Sequence, residues 1–167
     1  FLNDRVASVA QLLKDAGYHT YLAGKWHLGL TADQSPEAKG FERSFALMDA
    51  YSNHYYPDSR DSFWEDDHFS RYPEGEYSTD FYTDKLISFI GNDHKDNKPF
   101  FLYAAYTSPH WPLQAPVEYI EKYHGVYEIG YDSLRVLRFE GLKKKKIIAE
   151  DIRLPELPSM QGNLYDA

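Results

Sequence analysis

Phe100-Phe101-Leu102-Tyr103-Ala104-Ala105-Tyr106 is the stretch on which the fold turns, an unbroken run of apolar and aromatic residues between Pro99 and Thr107-Ser108-Pro109. A strand with one wet face alternates apolar with polar residues. A run without alternation reads instead as a strand buried on both faces, the usual position in a parallel sheet. The prolines of Pro109-His110-Trp111-Pro112 cannot extend a ladder, so His110 falls on the loop beyond the strand's C-terminal end. Upstream, Thr79 caps a helix over 80–90 that carries Tyr82, Leu86, Phe89 and Ile90 at helical spacing and stops at Gly91-Asn92.

Towards the N-terminus, Tyr18-His19-Thr20-Tyr21-Leu22-Ala23 is β-branched and aromatic, and reads as a short strand that opens at Gly24 into a loop carrying Lys25-Trp26-His27. Before it, Asn3 or Asp4 caps a helix over 4–16 with an apolar face of Val6, Val9, Ala10 and Leu13, stopped by Gly17. Residues 31–77 are polar, rich in Tyr, Asp and Ser, and lack sustained periodicity; they read as a long irregular insertion. Pro116 opens a short helix to about Tyr123. An amphipathic segment over 133–142 then meets Lys143-Lys144-Lys145-Lys146, where cations suit a helix C-terminus, and 143–167 is read as an extended C-terminal segment. The chain starts at Phe1 and stops in mid-phrase at Ala167, so 1–167 is expected to be an internal part of a larger catalytic domain. Helix alternating with buried strand predicts an α/β fold with a mostly parallel central sheet flanked by helices, represented here only in part. In such sheets ligands sit beyond the C-terminal strand ends, where Lys25, His27 and His110 fall.

Composition narrows the function. The chain has 167 residues with 18 Lys+Arg against 26 Asp+Glu, a net charge of −8. That acidic balance lacks the basic footprint of nucleic-acid binding. No apolar run approaches the roughly 20 residues of a membrane helix, so neither a nucleic-acid partner nor a membrane span is expected. Cysteine is absent, which excludes a thiolate nucleophile and a Cys-ligated metal. Aromatic residues reach 17% with 15 Tyr, and the area each buries makes core packing a better reading than a sugar platform.

A Lys and a His two residues apart on one loop, with a second His from a neighbouring strand end, form a plausible site for a tetrahedral oxyanion. Lysine supplies fixed charge, and histidine supplies a proton near neutral pH. The plainer alternative is that these are three ordinary surface residues. The other histidines, His19, His54, His68, His94 and His124, read as structural or exposed. Glu65-Asp66-Asp67-His68 lacks the spacing of a calcium loop and reads as a solvated acidic face.

The run Ala16-Gly17-Tyr18-His19-Thr20-Tyr21-Leu22-Ala23-Gly24-Lys25-Trp26-His27-Leu28-Gly29 closely resembles the second signature of the type I sulfatases, G-Y-x-T-x-x-x-G-K-W-H-L-G. Further stretches agree in order: Lys39-Gly40-Phe41, Tyr77-Ser78-Thr79-Asp80, Pro99-Phe100-Phe101-Leu102-Tyr103 with Pro109-His110-Trp111-Pro112, and Tyr127-Glu128-Ile129-Gly130-Tyr131-Asp132-Ser133-Leu134-Arg135, where Tyr131 replaces the family's Trp. The resemblance implies an alkaline-phosphatase-like fold and an arylsulfatase-like hydrolase that cleaves sulfate esters to alcohol and sulfate. It also implies a formylglycine nucleophile made from a C/S-x-P-x-R motif, and a Ca2+ ion bound by paired acidic residues. Neither the motif, nor the Asp-Asp pair that the family carries upstream, nor its downstream Asp-Asn pair and second lysine is found in this sequence, so both groups are expected outside it, and no metal ligand is assigned here.

By position, Lys25 resembles the lysine that bridges sulfate and formylglycine, and His27 the histidine that helps expel sulfate. His110 resembles the histidine that contacts the ester oxygen and acts as general acid. Lys25 and His110 are thereby the expected substrate-binding residues. The implied partner is a small-molecule or glycan sulfate ester, and export to periplasm or exterior is the family habit. The alternatives are a phosphomonoester or phosphonate hydrolase of the same superfamily, and a non-catalytic module that holds sulfated glycans. The chain on its own is expected to be inactive.

Overall fold

A computed structural model of the chain describes residues 2, 3 and 5–157. In chain order the elements are α1 (Val9–Asp15), β1 (His19–Lys25), β2 (Arg43–Leu47), β3 (Phe63–Glu65), β4 (His68–Ser70), α2 (Ser78–Asp93), β5 (Phe100–Ala105), α3 (Val117–Glu121) and α4 (Gly130–Lys144). Tight 3-10 turns lie at Ala32–Gln34, Glu37–Lys39 and His94–Asp96. The chain divides into two compact units, Phe1–Pro116 and Val117–Ala167, and the first holds the sheet.

The sheet order is β4-β3-β2-β1-β5. β1 runs parallel to both neighbours, with Leu22 opposite Ser44 on one side and Tyr103 on the other. β2, β3 and β4 continue it as antiparallel pairs. The expected parallel core is therefore present, as the centre of a mixed sheet flanked by helices. Alternation along β1 sends its side chains to two cores. Tyr21 and Ala23 join Phe45, Leu47 and Phe63 beneath Tyr82, Leu86 and Phe89 of α2. On the other face Leu22 joins Ala46, Met48, Phe41 and Trp26 around Ala10 of α1. Each such ring or Leu taken fully out of water is worth about 1.5–3 kcal/mol, so helices on both faces are needed to cover this strand.

Three expectations are corrected. Residues 31–77 are no irregular insertion: they supply β2, β3 and β4. Their periodicity is hidden because β2 is only five residues and buried throughout after Arg43, while β3 and β4 have three each. The first helix begins at Val9, capped by Ser8, whose hydroxyl accepts from the Gln11 amide at 2.9 Å and donates to the Lys39 carbonyl. Asn3 instead caps a local turn, accepting from the Arg5 amide. Finally, β5 is an edge strand among the described residues rather than a central one, and Phe100 and Tyr103 are about half exposed. Its apolar run is covered by α2 at Leu102 and Ala104 and by the Phe41 ring, stacked on Phe101 and Tyr103 at 6.2 and 6.4 Å.

In the second unit, α4 begins earlier and ends later than the amphipathic 133–142 segment, taking in Lys143 and Lys144 in its last turn. Residues 152–157 form no helix or strand, and the rest of the expected C-terminal segment, 158–167, lies outside the described residues. Val117, Ile120 and Leu137 are each more than half exposed there. With an open edge at β5 as well, the 167-residue chain purified alone is expected to elute as aggregate on size exclusion and to bind an apolar dye strongly. A monodisperse monomer without dye binding would contradict this.

His19, at the opposite end of β1 from Lys25, bridges Glu42 and Asp96 with both ring nitrogens at 2.8 Å. The hydrogen bond to Glu42 raises its pKa most, Asp96 adds to it, and burial opposes both. A raised folded-state pKa contributes stability that is complete below the unfolded value of 6.5 and is lost as pH rises through the folded value. The melting temperature of the full-length protein is thus expected to fall as pH climbs through that window. Substituting His19→Gln should flatten this slope in a pH series of thermal melts.

Candidate functional site

The C-terminal edge of β1 and β5 is where the chemistry-bearing residues gather. Gly24 stands opposite Ala105, so β1 delivers Lys25 and β5 delivers Tyr106 at the same edge of the sheet. Lys25 is the last residue of β1 rather than a loop residue as expected, and its backbone pairs with Leu47 of β2. A strand end is a stiffer mount than a loop.

Trp26 then drops into the core at 7% exposure. Its amide donates to the Leu47 carbonyl at 2.8 Å, its indole N–H to the Gln34 carbonyl at 2.7 Å, and its ring meets Phe41 edge-on. Burying Trp26 fixes the chain between its two neighbours, leaving Lys25 half-buried and His27 exposed in a left-handed conformation at φ 55°. The ammonium of Lys25 has no hydrogen-bond or ion-pair partner among the described residues, although the chain carries a net charge of −8. A half-buried cation without a counter-ion suffers desolvation that a bound anion would offset.

His110 sits on the turn after β5, its amide donating to the Thr107 carbonyl at 2.9 Å. Its Nδ1 lies 2.7 Å from the Trp111 carbonyl, which can only accept, so Nδ1 carries the proton and Nε2 is the atom left for chemistry. The imidazole stacks on Tyr51 with centroids 5.8 Å apart and planes within 7°.

Beneath this turn lies His54, 1% exposed. Its Nε2 donates to the His110 carbonyl at 3.2 Å, and its Nδ1 accepts from the Ser78 hydroxyl at 2.7 Å with Thr107 Oγ1 at 3.3 Å. The His54 amide donates to Gln114 Oε1 at 2.9 Å. Tyr77 adds a hydroxyl contact to Ser108 Oγ at 2.8 Å. One buried imidazole therefore ties the His110 turn to the start of α2. The sequence reads His54 only as structural or exposed. No local signal could have found the role, because the contact spans 56 residues of sequence.

Asp66 accepts from Arg43 and the Ser44 amide, and Glu65 holds Lys85 Nζ at 2.8 Å, so these carboxylates are engaged within the fold. Among the described residues no group of three or more His, Asp or Glu side chains converges on one point.

Residues 2–162 match the Sulfatase family model. The chain is 40% identical over 179 aligned positions to an uncharacterized sulfatase of Schizosaccharomyces pombe, covering 99% of this chain and 32% of that protein. It is 37% identical to the arylsulfatase of Klebsiella aerogenes, covering 93% of this chain and 35% of that one. Among solved structures it resembles Ps i-CgsB, crystallised in complex with k-i-k-neocarrahexaose, at a TM-score of 0.60 and 26% identity over 68% of this chain and 29% of that chain. The chain thus spans about a third of the length of these relatives.

Proposed function

Because this chain belongs to the sulfatase family, we propose that it forms the middle of the catalytic domain of an arylsulfatase-like hydrolase that splits R–O–SO3⁻ into alcohol and sulfate. The observation that carries this reading is the unpartnered, half-buried ammonium of Lys25 at the strand edge it shares with the His110 turn. Such a cation, mounted on the end of a strand, is a ready seat for a tetrahedral anion.

The nucleophile, a formylglycine hydrate in this reading, belongs to a part of the full-length protein outside these residues. So do the ligands of the calcium ion. A hard cation takes six to eight oxygen ligands, and the described residues offer no converging set, so calcium does not fit here and no step is routed through it.

Three steps fall to this chain. Lys25 holds a sulfate oxygen and opposes the charge that grows as the sulfur–ester-oxygen bond lengthens. His110, protonated on both nitrogens, gives its Nε2 proton to the departing alkoxide while Nδ1 keeps its bond to the Trp111 carbonyl. His27 would serve as the base that accepts the proton released when the bond from the nucleophile's carbon to the sulfated oxygen breaks and sulfate departs.

The test is sulfate release from 4-nitrophenyl sulfate by the full-length protein, with 4-nitrophenyl phosphate alongside. Lys25→Ala is expected to lower kcat/KM by about 10²–10³, the usual cost of one oxyanion contact. Preference for the phosphate ester would move the assignment to phosphoryl chemistry. Binding of a sulfated sugar with no release would make the protein a glycan-binding module.

A further inference from the structure

Beside His110, within the first unit, lies a cleft of about 740 Å³ that the reaction steps leave unused. Its walls include Tyr51, Tyr56 and Trp111, residues that are 52%, 64% and 66% exposed. Three large aromatic side chains left this bare around one concavity offer their faces to the flat, C–H-rich face of a ring substrate. Tyr51 joins the cleft to the chemistry directly, since its ring stacks on His110 and packs against Trp111 at 6.2 Å.

Polar groups stand between the rings. Asn53 uses its carbonyl oxygen on the Tyr55 and Tyr56 amides, which leaves its NH2 group free among the described residues. Asp61 Oδ2 is taken by the Ser52 hydroxyl and the Asp58 amide, while Oδ1 remains open. Arg60 is held by both oxygens of Asp58 and so brings little uncompensated charge. Asp49, Asp58 and Asp61 outnumber that single arginine, so the cleft is net negative. Donors and acceptors are therefore offered to hydroxyl groups, whereas a second sulfate on the substrate would meet carboxylates at close range.

Resting on the sulfate-ester reading above, we infer that this cleft is the subsite for the alcohol part of the substrate, and that it selects an uncharged ring-bearing alcohol carrying one sulfate over polysulfated chains. Its volume exceeds that of one benzene ring and is comparable to the roughly 300–1,000 Å³ of ligand-binding clefts. The shared chemistry is a ring face with hydroxyls at its edge, and it comes from a neutral sugar or from a polycyclic phenol.

The experiment measures kcat/KM of the full-length protein on ethyl sulfate, a hexose 6-sulfate, its 2,6-disulfate and an oestrogen-type phenol sulfate. The monosulfated ring esters are expected to exceed the disulfate at least tenfold at low salt. That gap should narrow as salt screens the carboxylates. Tyr56→Ala, away from His110, should cost the favoured ring ester at least tenfold more than ethyl sulfate, through KM. Which ring ester leads separates sugar from phenol. Equal use of mono- and disulfate, or an equal loss on all esters in Tyr56→Ala, would overturn the inference while leaving the hydrolase intact. No sulfate release from any ester would instead remove the reading on which it rests.

Discussion

Replacing His110 by Ala in the full-length protein is expected to slow hydrolysis of an alkyl sulfate by about 10²–10⁴, the span typical of a general acid, and to cost 4-nitrophenyl sulfate far less. The difference follows from where negative charge ends up. An alkoxide is a poor leaving group and must receive a proton as the S–O bond breaks; 4-nitrophenolate is stable enough near neutral pH to leave without one. The plot of log kcat/KM against leaving-group pKa should therefore be steep in the variant and shallow in the wild type. His54→Gln should steepen it by a smaller amount. His54 reaches no substrate in this reading: it is a positioning residue that holds the His110 carbonyl from below. Loss of that bond lets the turn drift, and a displacement of about 1 Å costs catalysis heavily. Were His54 merely a packing residue, every ester would lose activity by the same factor and the slope would not change. His54→Asn, whose shorter amide cannot reach both Ser78 and the His110 carbonyl, should fall below His54→Gln on the same plot.

What the sequence reveals and what it hides divide along range. Gly17, the β-branched and aromatic run from Tyr18 to Ala23, and the periodic Tyr82, Leu86 and Phe89 are local signals, and the elements they mark are present. The placement of Lys25 and His110 at one edge of the sheet is also legible, because a strand's C-terminal end can be located from its own residues and the sheet then brings such ends together. β2 to β4 are not legible. Strands of three to five residues carry too few alternations to register, and their pairing depends on partners up to 22 residues away. The same limit hides His54 and the Tyr51–His110 stack, since both are contacts between segments more than 50 residues apart. The edge position of β5 is a third case: an apolar run reports that a strand wants cover, not which element provides it.

Gly24→Ala is expected to destabilise the fold by more than about 3 kcal/mol and to take the site with it. Two separate demands meet at this position. Its φ of +119° lies where L-residues are strained, and a Cβ built there would stand 2.0 Å from the carbonyl oxygen of Ala105 and 2.5 Å from its carbon. The obstacle is backbone of the neighbouring strand, which cannot rotate away as a side chain can. Relief requires β1 and β5 to separate beyond their usual spacing of about 4.8 Å, which breaks the ladder just where it delivers Lys25 on one strand and the turn bearing His110 on the other. Gly17 supplies the control. It has φ +89° but nothing within 4 Å of where a methyl would stand, so Gly17→Ala carries backbone strain alone, about 1–2 kcal/mol. Urea unfolding of the two full-length variants separates the terms: a Gly24→Ala midpoint as mild as that of Gly17→Ala would mean the strands yield easily and the close approach matters little. A much lower midpoint, or no folded protein, together with sulfate release lost in any folded remainder, would identify the close approach of β1 to β5, with no room for a methyl between them, as the dimension that holds the two halves of the site in register.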